Sequence, residues 1–163
     1  MRRTKFDEWP CSIARTTDLF GDWWTPLVLR EAFNGVRRFD DFATELGIGR
    51  NVLTTRLNRL VAEGILRTEP YQERPVRNEY RLTDKGRALH DILLAMVRWG
   101  DDWLAGDAGP PIELIDRRTG KLVRPVVVDE ATGKPIDPRN ITTRPGPGFP
   151  KTHRRRAKGA PRQ

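Results

Sequence analysis

The run from Arg37 to Leu82 predicts an α+β, mainly α, fold: a winged helix-turn-helix followed by a long C-terminal helix and a small β appendage. Three observations carry this. A short helix with acids in its first turn stops at a Gly47-Ile48-Gly49 turn, a second helix carries apolar residues at helical spacing, and two short alternating runs joined by a charged loop follow it.

Ahead of this segment, Ser12 to Phe20 and Pro26 to Phe33 read as amphipathic helices. The second is expected to open with Thr25 as N-cap and Pro26 in the first helical position, and to close at Asn34-Gly35. The first helix of the pair runs Asp40 to Leu46, with acids where they favour the helix dipole. Ile48 between two glycines suits the tight turn.

The second helix, about Arg50 to Glu63, buries Leu53, Leu57, Leu60 and Val61, and Gly64 ends it. At roughly 100° per residue its opposite face carries Asn51, Thr55, Asn58 and, to one side, Arg59, with Thr54 and Arg56 on the flanks. No acid lies between Arg50 and Ala62. Amides, hydroxyls and guanidiniums bond to base edges and phosphates in a major groove, whereas a merely solvated helix mixes Glu with Lys. This helix is therefore read as the DNA-recognition helix.

Ile65 to Pro70 and Glu79 to Leu82 read as strands, joined by Tyr71 to Asn78, a loop too long for a tight hairpin turn. It reads as a wing whose Arg74 and Arg77 reach a minor groove or flanking phosphates, with Glu73 and Glu79 tempering its charge. Arg37, Arg38 and Arg50 complete the candidate DNA contacts.

Cys11, Trp24-Thr25-Pro26-Leu27, Arg37-Arg38-Phe39, Leu53-Thr54-Thr55-Arg56-Leu57, Glu79-Tyr80-Arg81-Leu82-Thr83 and Gly86, in this order and spacing, resemble the HxlR-type, MarR-like winged-helix regulators of prokaryotes over about residues 9 to 104. Ser12 departs from a proline common after the cysteine, and Asp22 from a basic residue common before the tryptophan. The resemblance implies a homodimer whose N-terminal and last helices form the interface. It also implies redox or electrophile sensing at Cys11, as in some relatives. Arg15, one turn on, would lower the thiol pKa, while Asp7 and Glu8 act the other way.

Thr83 is expected to cap one long helix, about Asp84 to Leu104, with Leu89, Ile92, Leu93, Met96, Val97, Gly100, Trp103 and Leu104 in a continuous stripe. The stripe exceeds what a small winged helix must cover. Leu89, Ile92, Leu93, Met96, Trp99 and Trp103 are the candidate dimer residues; the alternative is that the stripe packs on the chain's own appendage.

Domain boundaries are read at 9–105 for the winged-helix domain, 110–143 for the appendage and 144–163 for a basic tail. The appendage repeats D-x-x-T-G-K-x-x-x-P, from Asp116 and again from Asp129. Such sequences make turns, so Ile112 to Ile115 and Leu122 to Val128 are expected as short strands. The spacing resembles the two knuckles of a zinc ribbon in which C-x-x-C-G has become D-x-x-T-G. Without thiolates the four N or S donors zinc needs are missing, so no metal and no cofactor are expected.

Of 30 basic and 22 acidic residues, 13 and 5 lie in residues 110–163, leaving 17 of each before them. The net charge of +8 thus belongs to the appendage and tail and says nothing for the recognition helix. The tail, with Arg144, Lys151, Arg154, Arg155, Arg156, Lys158 and Arg162 and no acid, is expected to be disordered when free and to seek a polyanion.

Other classes fare poorly. No run approaches a membrane span, no hydrophobic signal region follows the N-terminus, and one cysteine fits a reducing, cytoplasmic compartment. His90 lies on the long helix and His153 in the tail, serine is scarce, and no phosphate loop or Cys-His pair is present, which argues against an enzyme. A winged-helix adaptor that binds protein would favour a mixed-charge recognition helix. The expected partners are duplex DNA and a second copy of the chain; the effector is unknown from sequence.

Overall fold

The computed structural model describes residue 6 and residues 9–150. The described residues separate into two compact units, one of residues 22–135 and one joining those before residue 22 with those after residue 135. The second unit contains α1 (Ser12–Phe20), which Gly21 closes by donating its N–H to the Thr17 carbonyl. It also holds a short 3-10 turn at Pro138–Asn140.

The first unit contains the winged helix and the appendage turns up to Pro135. Its helices α2 (Trp24–Phe33), α3 (Phe39–Leu46) and α4 (Arg50–Ala62) pack against one another and against the antiparallel pair β1 (Leu66–Glu73) and β2 (Val76–Leu82). Val28 and Leu29 of α2, Phe42 of α3, Ile48 of the turn, Leu53, Leu57 and Leu60 of α4, and Ile65 and Leu66 are all at most 5% exposed. Each such side chain contributes about 1.5–3 kcal/mol of hydrophobic stabilisation. Gly47, at φ +59°, ends α3 in the left-handed conformation that lets the chain turn sharply into α4.

Four local expectations are corrected. First, α2 begins at Trp24, and Asp22 rather than Thr25 caps it. The Trp24 and Thr25 N–H groups both donate to Asp22 Oδ1 at 2.9 Å, and the Thr25 hydroxyl donates to Oδ2 at 2.8 Å. A carboxylate at the positive end of a helix outcompetes a hydroxyl, and Pro26 tolerates any place in the first turn because N–H groups there need no helical partner.

Second, the wing is a long, tightly turned hairpin. Pairing runs from Leu66–Leu82 out to Glu73–Val76, with Arg74 and Pro75 alone at the tip. A register shift between Pro70 and Gln72 adds a residue on one strand. That bulge interrupts the alternation at the point where the sequence pattern ends the strand, although pairing continues past it.

Third, the long helix is two: α5 (Asp84–Arg87) and α6 (His90–Trp103), joined through Ala88 and Leu89, where Leu89 N–H bonds to the Gly86 carbonyl three residues back. The expected cap at Thr83 is present, its Oγ1 accepting from Gly86 N–H at 3.0 Å. Gly86 is needed there: a Cβ would stand 2.2 Å from the Ile65 carbonyl oxygen. α5 is thus pinned to the base of the sheet, and the tightened turn re-aims α6.

Fourth, the appendage forms two tight turns closed by single bridges, Ile115 to Leu122 and Val128 to Pro135, rather than strands. Asp116 Oδ1 accepts the N–H groups of Arg118 and Thr119 at 2.8 and 2.7 Å, and Asp129 Oδ1 accepts Thr132 N–H at 2.8 Å. Past the first turn the chain leaves its partner and runs beside α6, where Arg98 Nη1 donates to the Pro125 carbonyl at 3.0 Å. Among the described residues, no three of His, Cys, Asp or Glu gather as a metal site. No described helix is long and apolar enough to cross a membrane.

Candidate nucleic-acid interface

α4 is held by its buried leucines, so its outer face is presented rigidly. Asn51, Thr54, Thr55 and Asn58 are exposed there, as the helical period requires. The two hydroxyls donate back along the helix, Thr54 to the Arg50 carbonyl at 2.8 Å and Thr55 to the Asn51 carbonyl at 2.9 Å. Each therefore meets an incoming donor as an acceptor. Asn51 and Asn58 supply amides able to bond an adenine edge in two places.

The arginines divide. Arg50 is exposed, but its guanidinium is paired with Asp40 at 2.7 Å and stacked over the Phe39 ring at 4.7 Å, which ties the start of α4 to α3. Arg59 is half-buried. Arg56 turns inward and lies 3.0 Å from Asp22, so it braces α4 against the start of α2 instead of facing a groove. The helical wheel placed it on a flank; it does not show that a carboxylate waits there from another element. Val52, 39% exposed beside Asn51, is a face residue that the sequence pattern did not single out. Its neighbour's position was the available signal, and its methyls suit a thymine methyl.

In the wing, Arg74 and Arg77 are exposed at and beside the tip, which Gln72 braces by donating to the Arg74 and Pro75 carbonyls, both at 3.1 Å. Arg38 stacks over Tyr71 at 4.5 Å, and Arg37 gives its carbonyl to Tyr80 N–H while its side chain stays exposed. At the wing base Arg67, Glu69, Arg81 and Glu79 form a cross-strand ionic ladder. The hydrogen bond from Arg67, with the added charges of Arg81 and Arg37, holds the Glu69 carboxyl below its usual range.

Of the candidate dimer residues, α6 brings Ile92, Met96, Trp99 and Trp103 together on one exposed stripe, while Leu89 and Leu93 are half-buried on another side. Cys11 is exposed at the N-cap of α1, and Arg15 turns its Nε to the Trp9 carbonyl at 2.8 Å. Asp7 and Glu8, the opposing acids, lie outside the described residues, as do Lys151, Arg154, Arg155, Arg156, Lys158 and Arg162 of the basic tail, and His153.

A helical core with a hairpin wing and an outward, acid-free recognition helix defines a DNA-binding transcriptional regulator of the winged helix-turn-helix class. The model of the HxlR-like helix-turn-helix family matches residues 19–108, and the chain belongs to that family. It is 44% identical over 138 residues to the HTH-type transcriptional regulator Rv3095 of Mycobacterium tuberculosis, itself uncharacterized, covering 85% of this chain and 87% of the relative. Among solved structures it is similar to PA1607, a candidate transcription factor, with a TM-score of 0.78 and 36% identity over 86% of this chain and 99% of that one. It is also similar to the redox regulator HypR in its reduced form, with a TM-score of 0.53 and 33% identity over 56% of this chain and 92% of that one.

Proposed function

We propose that the chain is a cytoplasmic homodimer that represses transcription by occupying a pseudo-palindromic operator, with one α4 in each of two successive major grooves. The carrying observation is the exposed, acid-free face of Asn51, Thr54, Thr55 and Asn58 on a helix clamped from behind by Leu53, Leu57 and Leu60. Arg74 and Arg77 of the wing and Arg37, Arg38, Arg50 and Arg59 supply flanking phosphate contacts, and Arg56 positions the helix. The exposed stripe on α6 is the surface that a second copy covers. Nothing in this reading calls for catalysis or a cofactor.

Oxidation or alkylation of Cys11 is proposed as the inducing event. The solved forms of HypR include a reduced and an oxidized one, and here the thiol stands exposed at the start of α1. Footprinting on the chain's own upstream region tests the operator reading. Two related half-sites about one DNA turn apart, roughly 34–36 Å, are expected. A single unpaired site counts against the dimer, and a reporter that falls when the gene is removed counts against repression.

A further inference from the structure

α6 has three faces. Leu89, Leu93 and Gly100 are half-buried on one. On the second, Arg98 holds the Pro125 carbonyl and Asp102 pairs with Arg124 at 2.8 Å, so the appendage is fastened alongside the helix. On the third, Ile92, Met96, Trp99 and Trp103 are 37, 50, 59 and 73% exposed. Between the second and third faces runs a groove of about 750 Å³, with Trp99 and Trp103 on one wall and Val126, Val127 and Val128 on the other.

The appendage therefore does not cover the stripe; it widens it. Taking about 150–250 Å² for a fully exposed aromatic side chain and less for an aliphatic one, the stripe alone offers on the order of 500 Å². The exposed valines at 123 and 126–128 bring the total to roughly 800 Å², the share each partner gives to a standard stable interface. Of the charges that line the groove, Arg98 and Asp102 are satisfied within the chain, by the Pro125 carbonyl and by Arg124, and Asp91 completes the charged lining beside its apolar walls.

We propose that the valine run of the appendage is the second half of the homodimer interface, its groove receiving Trp103 from a second copy of the chain. This rests on the homodimer reading above and adds the surface that makes the dimer stable. The family match ends at residue 108, and HypR, matched over 92% of its length, spans 56% of this chain. The device thus belongs to chains that carry the appendage.

Sedimentation of the full chain, native and with Val127→Asp, tests it, with circular dichroism as the check on folding. The native chain is expected to be a dimer, and Val127→Asp to raise the dimer Kd at least about 30-fold with unchanged dichroism. The paired change Val126→Ala, Val127→Ala adds no charge and is expected to shift Kd in the same direction by about fivefold or more, so the test holds even where the aspartate variant misfolds. A native dimer whose Kd neither set of changes alters would overturn the role of the appendage while sparing the dimer. A native chain that stays monomeric at tens of micromolar, a concentration at which most stable dimers assemble, would overturn both.

Discussion

Arg56 Nε lies 3.0 Å from Asp22 Oδ1, with the two side chains 23% and 9% exposed. Asp22 also accepts two backbone N–H groups and the Thr25 hydroxyl, so one carboxylate caps α2 and anchors the recognition helix. The contact with Arg56 is ionic rather than an aligned hydrogen bond. It sets the angle between two helices that are far apart in sequence.

Replacing Asp22 by alanine is expected to remove the cap, worth about 1–2 kcal/mol, and to leave a half-buried guanidinium without its counter-charge. Urea denaturation of Asp22→Ala should show a loss of about 2 kcal/mol or more, and adding Arg56→Met should recover part of it. Strict additivity of the two changes would show that the pair does not couple the helices.

Asn51→Ala is expected to cost about 1–3 kcal/mol on the operator and much less on random DNA. Arg56→Ala, acting through helix placement, should lack that contrast in direct base readout. Titrations on both DNAs read the difference; equal losses for Asn51→Ala on both would displace α4 from the groove.

For Cys11, diamide is expected to weaken operator binding by the native protein and to leave Cys11→Ser unaffected, with the two alike when reduced. Diamide takes up two hydrogens as two thiols join, and this chain has one cysteine. The oxidised species should therefore be a disulfide between two chains or with a small thiol, distinguishable by mass. Equal responses from both proteins would make Cys11 inert.

Deleting residues 145–163 removes six of the seven basic residues of the tail. For every phosphate that the shortened chain no longer neutralises, the slope of log K against log salt should fall by about 0.9, and specific and random binding should weaken by similar factors. An unchanged slope would place the tail away from DNA.

Asp116 is held below its usual pKa by the N–H and hydroxyl of Thr119 and the N–H of Arg118. A depressed carboxylate stabilises its turn at pH values above the ordinary range and loses that contribution as pH falls through the lowered folded value. In an NMR acid titration, the Thr119 amide should shift with the Asp116 carboxyl below pH ~4, and Asp116→Asn should abolish that step. A Thr119 amide that moves equally in both proteins would detach the turn from this carboxylate.

The sequence by itself determined the reading head. Leu53, Leu57 and Leu60 fall on one helical face and Asn51, Thr55 and Asn58 on the opposite one, and the structure buries the first set and exposes the second. Gly47 and Gly64 end helices where positive φ is needed, and Thr83 caps α5. These are local facts, set by a period of 3.6 residues and by the conformational range of single residues. Tertiary structure alone decided what local rules cannot see: that Arg56 meets Asp22 from 34 positions away, that pairing continues past the bulge beside Tyr71, that Ile65 forces glycine at 86, and that the appendage lies beside the α6 stripe without covering it. Each depends on two segments meeting in space, where a charge, a carbonyl or an unpaired edge on one selects the conformation of the other.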